Sequence, residues 1–213
     1  MSTIASLISM KPAISVLMPA FNVEKYIAES IESILNQSFI DFEFIILDDG
    51  SKDGTPKIID SYVDSRLKKV FLNENKGLVN ARNTLVGMAQ GDYIAFLDAD
   101  DIADPKRLEL QLQYMKVNKL DVCGADHFVL NQLNGKIKRS KQRHTDADIH
   151  AMISVCSPLC NPSVMGRAEV FKKTSYFPGN DGAEDYVMWV NLALLNCRFG
   201  NVPKNLITYR VHD

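Results

Sequence analysis

No run of 18 apolar residues occurs in this 213-residue chain, so nothing in it has the makings of a membrane-spanning helix. Cysteine is scarce. Cys123, Cys156, Cys160 and Cys197 lack both the dense spacing of a disulfide scaffold and the paired C-x-x-C of a zinc site, so they read as free, packed thiols. A positive surplus is missing too: the net charge is −2, which argues against nucleic acid as a partner, because phosphate binding needs excess Lys and Arg. Internal repeats and low-complexity linkers are absent. The opening residues, MSTIASLISMKP, have no basic segment ahead of their apolar part and no small-residue cleavage site, so no secretory signal is expected and a cytoplasmic location is.

What the chain does have is a 46% apolar composition and an alternation of short β-like runs with helical periods. ISVLM (14 to 18) and FEFIIL (42 to 47) are apolar nearly throughout, the mark of strands covered on both faces. Between them Ile27, Ile31, Ile34 and Leu35 share a helical face, with Asn22 as its cap. Thr55 and Pro56 read as N-cap and first position of a second helix. KVFL (69 to 72) is a further strand. A helix carrying Leu78, Ala81, Leu85 and Met88 follows, ended by Gly91. DYIAFL (92 to 97) is a fourth strand, and Asp104 with Pro105 opens a helix carrying Leu108, Leu112 and Met115. Strands joined by helices predict a layered α/β fold with a mostly parallel central sheet.

The second half reads as less regular: a hairpin turning near Asn134 and Gly135, a loop-rich region, a helix at AEDYVMWVNLALLN and a last strand at 206 to 211. The chain is taken as one domain, 1–213, with halves meeting near residues 104 and 105.

In such sheets ligands bind beyond the carboxyl ends of the strands. There the sequence gathers like charge: DDGSKDGT after the second strand and DADD after the fourth. Clustered carboxylates are costly unless something positive joins them, and a hard cation such as Mg²⁺ or Mn²⁺ answers that cost. Acidic residues ending a strand, with no metal, remain the alternative on these four residues alone. The adjacent pair Glu184 and Asp185 at a helix start is likewise either ordinary helix-terminal charge or a functional pair. KIKRSKQRH (136 to 144) holds five of the 24 basic side chains; it is either a solvated hairpin or a contact for an anionic acceptor or an acidic membrane surface.

Seven segments in order, SVLMPAFNVEKYIAESIESILNQSF, FIILDDGSKDGT, NENKGLVNARN, GDYIAFLDADD, NPSVMGRAEVF, AEDYVMW and YRVHD, resemble the bacterial inverting family 2 nucleotide-sugar glycosyltransferases of the GT-A fold. The resemblance covers about residues 13 to 213. It implies a nucleotide-binding half (13–104) and an acceptor half (105–213). Relatives continue with further C-terminal helices, so the chain is read as truncated or unusually short.

The resemblance also implies roles. Pro19, Phe21 and Asn22 form the nucleotide pocket, Phe21 stacking on the base unless it is simply core. Asp49 accepts the uracil N3 hydrogen, while Asp48 and Gly50 shape the turn. Arg82 lies near the diphosphate or pairs with the acidic strand ends. Asp98 meets the ribose, Ala99 leaves room for the ligand, and Asp100 holds the Mn²⁺ or Mg²⁺, with Asp98 and His212 as further metal contacts. Asp101 has no assigned role. Asp185 is the general base that takes the acceptor proton, and Glu184 is a helper or a contact to the donor sugar; Trp189, one helical turn later, either packs in the core or flanks the acceptor.

The activity so implied is metal-dependent inverting transfer from a UDP-sugar to a hydroxyl of a saccharide or lipid-linked acceptor in cell-surface polysaccharide synthesis. The alternative is a non-catalytic nucleotide-sugar-binding domain of the same fold. A dehalogenase-type phosphatase also has a D-x-D after a strand, but after its first strand, and here the first strand ends in PAFN.

Overall fold

A computed structural model describes residues 11–179 and 182–212. The stretch read above for a signal lies outside them apart from Lys11 and Pro12. Strands β1 (Ile14–Ala20), β2 (Phe42–Asp48), β3 (Leu67–Phe71) and β4 (Tyr93–Phe96) alternate with helices α1 (Ile27–Leu35), α2 (Thr55–Ser61) and α3 (Leu78–Met88). These strands pair in parallel in the order β3-β2-β1-β4. The apolar runs are explained by burial on both sides. Val16 and Met18 face the layer holding Ile27, Ile31 and Ile34 of α1, and Leu17 faces the layer holding Leu85 of α3, as strand alternation requires. Each such side chain fully removed from water contributes about 1.5–3 kcal/mol.

The sheet continues through the half expected to be irregular. Strand β5 (Ile102–Ala103), helix α4 (Arg107–Asn118), strands β6 (Val122–Asn131) and β7 (Ile137–Ser140), helix α5 (Asp146–Ile153), strand β8 (Met165–Arg167), helices α6 (Ala168–Phe171) and α7 (Glu184–Leu194), and strand β9 (Phe199–Val211) complete the order. Strand β8 runs antiparallel to β4 and to β6, β9 lies parallel to β6, and β5 closes the edge antiparallel to β9. Along β6, β9 advances from Val202 to Asn205 while its partner moves only from Ala125 to Asp126, and then from Asn205 to Ile207 against Asp126 to His127. Those bulges let β9 start at Phe199, well before the expected 206.

Several expected helix ends move. Asn22 does not cap α1. It sits at φ +52°, and its side-chain oxygen accepts from the Lys52 N–H at 2.8 Å. Thr55 is the first residue of α2, after Gly54 at the cap; its hydroxyl accepts from Val23 N–H at 2.9 Å and Asp53 accepts from its N–H at 3.0 Å. In α3 the buried face is Ala81, Arg82, Leu85 and Val86, while Leu78 and Met88 are exposed. Helix α3 stops at Met88, before Gly91, whose missing side chain instead makes room for the Ile14–Ser15 backbone. Asp104 closes a turn onto Lys106 N–H at 2.9 Å ahead of α4 rather than capping it. The hairpin turns at Gly135, φ +67°, as read.

Candidate active site

Between β1 and β4 the order of the parallel strands reverses, and a cleft of about 340 Å³ lies over their carboxyl ends, where such sheets place ligands. Strand β1 delivers Pro19, Ala20 and Phe21 to it. Phe21 is 42% exposed, so it belongs to the cleft wall and not to the core. Asn22 does not line the cleft, because its amide is committed to Lys52.

Strand β2 delivers Asp49, which is buried. Its two oxygens accept from Lys76 N–H at 2.9 Å and Gly77 N–H at 2.8 Å, so it fixes the loop leading into α3. Each oxygen keeps a further lone pair for a ligand. Asp48 turns back to Ser51 N–H at 3.3 Å. Gly50 sits at φ +72°, and a Cβ there would lie 2.5 Å from the Glu74 carbonyl carbon, so only glycine permits this approach.

Strand β4 delivers Asp98, Ala99 and Asp100 to the cleft. Arg82 of α3, buried, donates to Glu184 of α7 at 2.5 Å and to Asp98 at 3.3 Å. Its guanidinium lies 5.5 Å from the Tyr176 ring centre, and Glu184 also accepts from Gly182 N–H at 2.9 Å. Burial alone would lower the Arg82 pKa, yet Asp98, Tyr176 and the α7 carboxylates hold it above its ordinary value. The cation is thus fixed between two carboxylates, one at the cleft and one behind it. Burial raises the Asp98 pKa while Arg82 opposes the rise.

Asp100 meets His212 at 2.7 Å, and the His212 ring stacks on Tyr26 at 4.8 Å. Among the described residues no three His, Cys, Asp or Glu side chains converge as a metal-holding group. Of the expected set, Asp100 and His212 meet each other, while Asp98 turns to the buried Arg82. Asp101 gains a role: fully buried, it accepts from Arg210 N–H at 2.8 Å. Burial, reinforced by Asp98 and Asp100, pushes its pKa up to about 9.

Asp185 is half-buried at the start of α7, beside Glu184, and does not line the cleft. Burial raises its pKa against the Tyr186 N–H and Arg82. Trp189 is fully buried, which places it in the core. Sequence reasoning did not single out Asn75 or Tyr209, both of which line the cleft. Tyr209 stands in YRVHD and Asn75 in NENKGLVNARN, so each lay inside a segment already marked.

The class is GT-A. The chain superposes on S. aureus TarS residues 1–349 in complex with UDP with a TM-score of 0.79 at 24% identity, covering 93% of this chain and 60% of that one. It superposes on mannosyltransferase PcManGT of Pyrobaculum calidifontis, in complex with GDP-Man and Mn²⁺, with a TM-score of 0.73 at 20% identity, covering 96% and 59%. Residues 15–175 match the family model described as glycosyl transferase family 2, and the chain belongs to that family. A glycosyltransferase of Methanocaldococcus jannaschii is 34% identical over 207 residues, 94% of this chain and 71% of the relative. The Escherichia coli UDP-Glc:alpha-D-GlcNAc-diphosphoundecaprenol beta-1,3-glucosyltransferase WfaP is 31% identical over 93% of this chain and 77% of its own length. Rickettsia relatives are longer, the chain spanning 35% of one from Rickettsia felis.

Proposed function

We propose that this domain transfers a sugar with inversion from a UDP-sugar to a hydroxyl of a saccharide or lipid-linked acceptor, in cell-surface polysaccharide synthesis. The observation that carries the reading is the meeting of Asp49, Arg82, Asp98 and Asp100 at one cleft above the sheet's switch point. Asp49, its backbone bonds already in place, offers a buried acceptor to a base N–H, and a base without that hydrogen would leave the carboxylate unmatched. Phe21 offers a face to the base and Asp98 an acceptor to the ribose. UDP in the TarS complex and UDP-Glc in the WfaP name support the choice of nucleotide.

Asp100 and His212 fit a divalent ion. One carboxylate and one imidazole would hold such an ion, the imidazole suiting Mn²⁺ better than Mg²⁺, and the chemistry it would supply is positive charge beside the departing diphosphate. Arg82 fixes Glu184, and with it the start of α7 where Asp185 stands. The rise in the Asp185 pKa moves it toward the range of a general base at neutral pH; in this reading it takes the proton from the acceptor hydroxyl as that oxygen attacks.

The test measures UDP release over a panel of UDP-sugars and acceptors with Mn²⁺ or Mg²⁺, alongside thermal shift with UDP. Metal-dependent stabilisation by UDP is expected. If UDP leaves the melting temperature unmoved with and without metal, the donor reading fails; binding without transfer would instead favour a non-catalytic nucleotide-sugar domain.

A further inference from the structure

The β6–β7 hairpin plays no part in the cleft, yet its surface is unlike the rest of the chain. Lys136, Lys138, Arg139, Lys141 and Arg143 are all exposed, and no Asp or Glu occurs from residue 127 to 145. Among the described residues none of the five forms an ion pair, whereas Lys68, Arg66, Arg82 and Arg210 are each matched by a carboxylate. Five uncompensated cations thus share one protrusion of a chain whose net charge is −2.

The same protrusion exposes large apolar side chains. Leu133 at the turn is 69% exposed and Ile137, the first residue of β7, is 62% exposed. Water hydrates the cations but gives the apolar side chains no partner, whereas the face of an anionic bilayer offers phosphate charge to the first and a headgroup boundary to the second.

We propose that the β6–β7 hairpin docks this domain on an anionic lipid bilayer, with Leu133 and Ile137 entering the headgroup region and the five basic side chains holding lipid phosphates. Its place in the sheet gives the docking a use. Val129 of β6 pairs with Lys138 on one side and with Tyr209 of β9 on the other, and Tyr209 lines the cleft. Two ladder spacings of about 4.8 Å therefore separate the basic strand from the cleft wall, so the cleft opens beside the membrane surface. The docking does not depend on which nucleotide the cleft holds.

The test is co-sedimentation of the protein with vesicles of phosphatidylcholine mixed with phosphatidylglycerol, against phosphatidylcholine alone, at low and high salt. Binding to the anionic vesicles only, weakened by salt, is expected. Replacing Lys136, Lys138 and Arg139 by Ser should weaken that binding about 100-fold, at about fivefold for each basic residue near the surface, with an unchanged thermal midpoint showing that the fold is intact. Leu133→Ser with Ile137→Ser should also weaken it while leaving every charge in place. Equal binding to both vesicle types, no binding to either, or full binding by the triple variant overturns the proposal. So does apolar-tip substitution without effect combined with equal retention on soluble heparin, which would mark a general polyanion contact.

Discussion

Replacing Asp101 by Asn should make the protein more stable at neutral pH. The native carboxyl has its pKa moved from 3.8 to about 9 by burial beside Asp98 and Asp100. At pH 7 the folded protein therefore holds a proton on Asp101 that the unfolded chain does not. Taking up that proton costs the native state about 1.4 kcal/mol for every pH unit above the unfolded pKa, or about 4 kcal/mol at pH 7. The sign follows from linkage: the group is fully favourable below about pH 4, and its contribution falls as pH rises toward 9. Asn needs no proton, and its carbonyl oxygen can still accept from Arg210 N–H, the bond made at 2.8 Å now. Urea unfolding of both proteins from pH 4 to 8 checks the idea. The two should have similar stability near pH 4, and the gap should open in favour of Asp101→Asn by about 1.4 kcal/mol per unit, up to about 4 kcal/mol at pH 7. Parallel pH profiles, or a variant less stable than the native protein at pH 7, would refute the reasoning.

Other expectations concern the cleft. Asp185→Asn should retain UDP binding by thermal shift and lose transfer by about 10²- to 10⁴-fold, the usual worth of a positioned base; transfer at the native rate would remove Asp185 from that role. Asp100→Ala should abolish the Mn²⁺-dependent part of UDP binding in calorimetric titration while leaving the unfolding midpoint of the free protein little changed. Arg82→Met leaves Glu184 buried and unpaired and should cost about 3–5 kcal/mol in urea unfolding, with a smaller loss for Glu184→Gln, which keeps an acceptor for the guanidinium.

The parallel half of the fold was legible because β1 and β2 are buried on both faces, and their apolar runs declare it. The other half hid its strands for reasons of length and composition. Strand β5 has two residues and β8 three, too few for any period, and the first part of β9 reads FGNVPKN, a turn-like sequence that becomes a strand only because β6 lies beside it. The acidic residues of the cleft could be located because strand ends mark them. Their partners could not: the Arg82 contact with Glu184 joins residues 102 positions apart, and Asp101 takes its meaning from Arg210, 109 positions away. Asn22 misled for the same reason, since its local setting suggests a cap and its partner, Lys52, lies across the loop.

The bulges of β9 set a phase. Against β6, β9 carries two extra residues between Val202 and Asn205 and one more before Ile207, an odd total that inverts which alternate side chains face which side of the sheet. Downstream of that inversion, Tyr209 reaches the cleft, Arg210 meets Tyr26 and Glu29, and the chain arrives with His212 at Asp100. A deletion of one residue among 203 to 206 would leave the ladder able to form and yet exchange these assignments, sending a guanidinium where the tyrosine stood. Segment 203–206 is exposed at two positions and chemically plain, but its length works as a frame for the site, so among homologous chains it should vary in residue type far more freely than in residue number.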